Sequence, residues 1–284
     1  MSGDEILVGY DGSTDATLAL NWALDEARRS GRPVRLVYVF EWLTVAGWIG
    51  PGVAPGIWPD ETARRQVEEL VRKAAADAAA ERPDVTVHGD VLDGPPALVL
   101  QERSADAGLL VLGSRGHGGF AGLLAGSTAV SVAAHAHCPV VVVREGQADA
   151  VGPVVVGVDG SESSQVALGF AVERAAQREV PLRVVRVVGG ERRSSEHDER
   201  ATDEERAVVE QALARWRQTF PDVAVEVDVR PGNPAATLVE ASRDAQLVVV
   251  GSRGRGGLRG MLLGSVSQQL IQHAYCPVVV ARER

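Results

Sequence analysis

The chain contains the same order of segments twice, and this internal duplication constrains its folding more than any other feature. Ile6-Leu-Val-Gly-Tyr-Asp11-Gly12-Ser13 matches Val154-Val-Val-Gly-Val-Asp159-Gly160-Ser161, and Gly94-Pro-Pro-Ala matches Gly232-Asn-Pro-Ala. Ser104-Ala-Asp106-Ala matches Ser242-Arg-Asp244-Ala, and His135-Ala-His-Cys138-Pro-Val-Val-Val matches His273-Ala-Tyr-Cys276-Pro-Val-Val-Val. The 284 residues therefore read as two domains of ordinary size, 1–146 and 153–284, with the seam between Gly146 and Pro153.

Within the first half, apolar runs at Ile6–Tyr10, Val34–Phe40, Val85–Val91, Leu109–Leu112 and Val140–Val143 alternate with helical patterns. Near-continuous apolar runs are what strands covered on both faces of a parallel sheet require. Ser13 is placed to cap a first helix whose stripe is Leu20, Ala23, Leu24 and Ala27, and Gly31 is placed to end it. A second helix is expected from about Asp60 to Ala80, with Val67, Leu70, Val71, Ala74 and Ala78 inward. The alternation predicts an α/β chain of two doubly wound parallel sheets, with ligands outside the carboxyl ends of the strands. The halves diverge after their second strands. Glu41 to Pro59, rich in Trp, Gly and Pro, reads as an ordered apolar flap or contact surface, whereas the charged stretch from Gly189 to Arg206 reads as a solvated, mobile loop.

The chemistry concentrates in a glycine-spaced loop present in both halves. Gly113-Ser-Arg115-Gly116 is followed nine residues later by Gly126-Ser127-Thr128, and Gly251-Ser-Arg253-Gly254 by Gly264-Ser265-Val266 at the same spacing. Each loop follows an apolar strand and opens a helix, which gathers unpaired backbone N–H groups and a helix dipole at one spot suited to phosphate. The glycines let the backbone approach a ligand, and Ser127 and Ser265 can cap the helix or donate to phosphate. A glycine-rich surface loop is the plainer alternative. Arg115 and Arg253 suit terminal phosphate oxygens or stand solvated. Asp11 and Asp159, at the ends of the first strands, can accept from ribose hydroxyls or help hold a phosphate-bound Mg²⁺; a simple Asp-Gly-Ser turn is the other reading.

Composition narrows the classes. A net charge of −9 presents no basic field to nucleic acid. No apolar run is long enough to span a membrane, and the first residues carry no signal region, which points to the cytoplasm. Lys73 is the single lysine, so a GxxxxGK[ST] nucleotide site is excluded and phosphate contacts must come from amides, hydroxyls, arginine or a metal. The two cysteines, Cys138 and Cys276, make no disulfide framework and read as small buried apolar residues. His135, His137 and Cys138 suggest a metal, but the second half puts Tyr275 where His137 stands, and a helix end entering a strand explains them. His117 has Arg255 as its counterpart, so the halves share no imidazole chemistry there.

The apolar strand ending in Asp-Gly-Ser, the G-x-x-G-x9-G-[ST] loop and the terminal Cys-Pro-Val-Val-Val strand together resemble the universal stress proteins, in their tandem-domain, ATP-binding, actinobacterial form. The resemblance spans essentially the whole chain. It implies the adenine-nucleotide α-hydrolase-like fold, with five parallel strands in order 3-2-1-4-5 per half, ATP with Mg²⁺ in each crevice, and pairing through the last strands. It further implies that Val39 and Val187 lie against adenine, that Asp11 and Asp159 sit near ribose and metal, and that the phosphates are cradled by Gly113, Gly116, Gly126 and Ser127 and by Gly251, Gly254, Gly264 and Ser265. A homodimer through the terminal strands is also expected, since exposed edges are a liability. The function that follows is a nucleotide-dependent stress-response regulator. Its hydrolysis would be slow at most, because no side chain is left to position a water. An enzyme of the α-hydrolase type and a nucleotide-free scaffold using the tryptophan flap are the alternatives.

Overall fold

In a computed structural model the described residues are 4–41, 61–116, 125–144, 152–188, 195–254 and 262–282. The flap at 42–60, most of the seam, and His117 and Arg255 lie outside them.

The first half runs β1 (Ile6–Gly9), α1 (Thr14–Ser30), β2 (Val34–Phe40), α2 (Glu61–Glu81), β3 (Val87–Asp93), α3 (Pro96–Arg103), β4 (Leu109–Gly113), α4 (Ser127–His135) and β5 (Val140–Val143). The second repeats it as β6 (Val154–Val158), α5 (Glu162–Arg178), β7 (Leu182–Val188), α6 (Ser195–Thr219), β8 (Val225–Pro231), α7 (Pro234–Ala241), β9 (Leu247–Gly251), α8 (Ser265–His273) and β10 (Val278–Ala281). Local chemistry sets the boundaries. Ser13 Oγ accepts from Ala16 N at 3.2 Å, and Gly31 closes α1 in the left-handed region at φ 69°, where glycine is unstrained. Ser161 caps α5 in the same way, accepting from Ser164 N at 3.2 Å.

The two expected five-stranded sheets are one. Strand order is β3-β2-β1-β4-β5-β10-β9-β6-β7-β8, so each half keeps the order 3-2-1-4-5 with parallel pairing. The halves meet where β5 and β10 pair antiparallel, with Val278, Val279 and Val280 opposite Val142, Val141 and Val140. Both of these strands thus have neighbours on each side. The pairing through the last strands that the resemblance implies is thus met within one chain, and these two strands offer no free N–H or C=O row to a second copy.

Because the inner strands carry apolar residues on both faces, two cores form and cross the junction. One holds Ile6, Leu24, Val71, Leu168 and Leu213 under α1, α2, α5 and α6. The other holds Leu7, Leu100, Val132, Leu238 and Leu270 under α3, α4, α7 and α8. Cys138 and Cys276 are fully buried, and burial pushes the Cys276 thiol up to about 12, so it carries essentially no thiolate at neutral pH. A disulfide thiol reagent is expected to titrate neither cysteine in the native protein at pH 8 and both in denaturant; stoichiometric reaction before unfolding would contradict this packing.

Three local expectations are corrected. β3 begins at Val87 and runs to Asp93, two residues later than the apolar run, because Val85 is used to pack the turn after α2. Leu70 is exposed while Val71 and Ala78 are buried; α2 covers the edge strand β3, so its flank overhangs the sheet. The charged stretch to Arg206 is helical from Ser195 onward. Its Glu and Arg residues favour helix intrinsically, and Glu205 is anchored by Arg186 at 2.7 Å while Arg206 donates to Val227 O at 2.7 Å.

The helices that flank the junction, α1 and α5, meet through a buried ion triad. Arg174 Nε lies 3.0 Å from Glu26 Oε1 and Arg178 Nη2 lies 2.8 Å from Oε2, with the glutamate side chain 1% exposed. The first contact is close but poorly aligned for a hydrogen bond, so it acts as an ion pair. Burial lowers the pKa of both arginines and the Glu26 charge opposes that shift.

Candidate functional site

Parallel strands with right-handed crossovers leave a crevice at their carboxyl ends. In each half the first strand delivers an aspartate to this crest. Asp11 Oδ1 accepts from Ser13 N at 3.0 Å, and Asp159 Oδ1 accepts from Ser161 N at 2.9 Å, an Asx turn that fixes the carboxylate. The turn passes through Gly12 and Gly160 at φ 84° and 79°, a conformation that a side chain would strain. Since β5 and β10 run oppositely, the two crests face opposite edges of the sheet.

The glycine loops descend onto these aspartates. A Cβ on Gly116 would lie 2.3 Å from Asp11 Oδ2, and one on Gly254 2.5 Å from Asp159 Oδ2. The bare Cα at each position lets the loop approach the carboxylate more closely than a side chain would allow. Gly113 and Gly251 have another purpose. A Cβ there would strike the backbone of the first helix turn, Asp15 C at 2.7 Å and Ser163 C at 2.7 Å. Neither has a positive φ. Both let α1 and α5 cross the strand ends closely.

Each loop closes on itself. Gly126 N donates to Ser114 O at 2.7 Å and Gly264 N to Ser252 O at 2.8 Å, so these two amides are already spent. Gly126 and Gly264 are the N-cap residues, with no side-chain cap bond. This corrects Ser127 and Ser265 from cap to first helical residue. The physical consequence favours a ligand: the first-turn amides of α4 and α8, at Ser127, Thr128, Ser265 and Val266, have no capping side chain to satisfy them. Val39 and Val187 sit half-buried near the ends of β2 and β7, on the same crests as Asp11 and Asp159, and pack against the core of α3, α4, α7 and α8.

Four groups at the crests escaped the motif reading. Asp15, 4% exposed, accepts from Ser114 Oγ at 2.7 Å and from Arg115 N at 3.1 Å, and the Arg115 guanidinium leans on it at 3.7 Å. Its counterpart Ser163 accepts from Arg253 N at 3.3 Å. Arg144 and Arg282 follow the terminal strands and reach across the junction, Arg144 to Ile271 O at 2.6 Å and Arg282 to Ala133 O at 2.9 Å. The signal for the arginines was available, because both copies continue their valine strand into arginine. Asp15 hid because it differs between copies. Among the described residues no group of three or more His, Cys, Asp or Glu could hold a metal ion, so a metal here would depend on the ligand's own oxygens.

The universal stress protein family model matches residues 4–144 and again residues 151–282. The chain belongs to this family. A universal stress protein of Mycolicibacterium smegmatis is 38% identical over 285 residues, covering 98% of this chain and 97% of that one. One from Mycobacterium tuberculosis is 37% identical over 290 residues, covering 98% and 96%. Both therefore share the tandem length of this universal stress protein. The crystal structure of a universal stress protein from Archaeoglobus fulgidus superposes with a TM-score of 0.73 at 20% identity, covering 98% of this chain and 96% of that one, which establishes the shared fold. Among the described residues no helix is long and apolar enough to cross a membrane.

Proposed function

We propose that this universal stress protein is a nucleotide-dependent regulator of the stress response, binding ATP with Mg²⁺ in each of its halves, 1–146 and 153–284, in the cytoplasm. The observation that carries this reading is the close approach of Gly116 and Gly254 to the Asp11 and Asp159 carboxylates, beside helix starts without side-chain caps. The fit to a nucleotide is chemical. First-turn amides suit a polyphosphate, a carboxylate suits ribose hydroxyls or a phosphate-bound Mg²⁺, and Val39 and Val187 offer apolar surface to a base. Arg115 and Arg253 flank the same crest. Bound Mg²⁺ would neutralise phosphate charge; the protein contributes one carboxylate per half towards it.

With Asp11 and Asp159 committed, the remaining carboxylate at the first loop, Asp15, is buried and engaged by Ser114 and Arg115, and Ser163 takes its place at the second, so hydrolysis is at most slow. The net charge of −9 supports small-molecule rather than nucleic-acid recognition. The experiment is to purify the full chain, heat it, and measure released small molecules by mass spectrometry with stoichiometry. Adenine nucleotide, approaching one per half after incubation with Mg-ATP, is the expected result. Protein that remains nucleotide-free after that incubation would overturn the reading and favour a scaffold.

A further inference from the structure

The duplicated crests are not electrostatic copies of each other. In the first half the buried Asp15 carboxylate lies under the loop and accepts from Ser114 Oγ at 2.7 Å and from Arg115 N at 3.1 Å. Two guanidinium groups share its field, Arg115 at 3.7 Å and Arg144, whose pKa is lowered by burial and then by the Arg115 charge, with Asp15 opposing the shift. In the second half the corresponding position is Ser163, a neutral hydroxyl at 3.5 Å from Ser252 Oγ and 3.3 Å from Arg253 N. The equivalent arginines are both kept. Arg282 is lowered by burial and then by the facing Arg253, and among the described residues neither makes an ion pair with a carboxylate.

Resting on the nucleotide reading above, we propose that the two halves are unequal sites, and that the second binds the nucleotide polyphosphate more tightly because Ser163 replaces Asp15 beneath its phosphate loop. Two physical effects act in the same direction. Beneath its loop the second crest has no buried carboxylate; the acid in the first turn of α5, Glu162, is exposed to solvent and screened. A buried charge is screened little by solvent, so the difference persists at physiological salt. In addition, the first loop has its Arg115 amide and Ser114 hydroxyl drawn down to a charged acceptor, and charge-assisted hydrogen bonds are the stronger kind. In the second loop the same amide is held only by a hydroxyl at longer range, and an incoming phosphate can compete for it. The facing Arg253 and Arg282 groups need a counter-ion, and the bound anion supplies it.

The test uses the full-length protein stripped of nucleotide and titrated calorimetrically with Mg-ATP. The wild-type chain should show two classes of site whose dissociation constants differ by on the order of tenfold, as for one unit charge acting through a partly screened site. Asp15→Ser should tighten the weaker class until the two merge. Ser163→Asp should weaken the tighter class by a similar factor, and the double exchange should restore two classes. Asp15→Asn, which removes charge while keeping an acceptor for Ser114, serves if Asp15→Ser does not fold; thermal melts report that separately. Equal affinities in the wild type, or a Ser163→Asp chain with unchanged binding, would overturn the inequality and leave the nucleotide reading standing. No binding in any variant, wild type included, would overturn that reading and this inference with it.

Discussion

Truncating Glu26 to alanine is expected to lower the stability of the chain by about 3–5 kcal/mol, the range for stripping one partner from a buried ion pair. The cost arises because Arg174 and Arg178, both buried at the α1–α5 contact, would keep their charge without an acceptor. Their rings of support do not compensate. Arg174 stacks over Phe170 at 4.6 Å and Arg178 over Trp22 at 5.4 Å, interactions worth roughly 0.5–2 kcal/mol each. Glu26 and Arg174 occupy the same position in the two copies of the repeat. Across the pseudo-two-fold junction that position meets itself, so identical copies would bring like charges together. Divergence after duplication converted this into an attraction between unlike halves. The exchange Glu26→Arg with Arg174→Glu should accordingly recover most of the stability lost in Glu26→Ala. Urea unfolding of the three proteins measures both effects; a Glu26→Ala midpoint indistinguishable from wild type would mean that the triad contributes nothing to holding the halves together.

Glycines three residues apart in one motif should fail in opposite ways. Gly113→Val puts a branched side chain into the backbone of Asp15 and Ala16, at 2.7 and 2.8 Å, and backbone cannot rotate aside. The helix must lift from the strand, at a cost of about 3 kcal/mol, the upper part of the range for overpacking, and Gly251→Val should behave alike. Gly116→Val meets only Asp11 Oδ2, the end of a side chain that can swing away. That protein should fold with stability within about 1 kcal/mol of wild type, as for a change away from the core. Its first half should nevertheless lose nucleotide by at least about tenfold, because the new side chain displaces the Asp11 carboxylate from its place at the crest, each 1.4 kcal/mol being a factor of ten. Gly254→Val should do the same in the second half. Thermal melts and released-nucleotide assays on the four single variants check this, and a folded Gly116→Val, Gly254→Val double variant with full nucleotide content would refute the role given to the crest.

The repeat, the strand alternation and the glycine spacing made the architecture legible before any coordinates. Strand order 3-2-1-4-5 in each half, the Ser13 and Gly31 caps of α1 and burial of both cysteines agree with that reading. These are local or periodic properties, in which a residue's neighbours in sequence are also its neighbours in space. Where the reading failed, distance in sequence was the cause. The close crossing of α1 over Gly113 was not visible because that helix begins almost a hundred residues earlier. Ser127 looked like a cap because the loop closure from Gly126 to Ser114, which moves the helix start back by one, cannot be seen in a spacing rule. The segment before Arg206 looked like coil because its charges suggested solvation, while the same residues are good helix formers once Arg186 and Val227 are there to anchor them.

Amino-acid order alone therefore specifies a duplicated α/β chain with an aspartate and a glycine loop at each crest, since periodic burial and turn chemistry act over a few residues. Folding in three dimensions adds the antiparallel β5–β10 seam that makes one sheet of two. It also adds the Glu26 triad that holds unlike halves together, and the placement of Asp15 under one loop and Ser163 under the other. Each of those rests on charges or backbone edges brought together from distant parts of the chain, where Coulomb interaction and close packing depend on separation in space and not along the sequence.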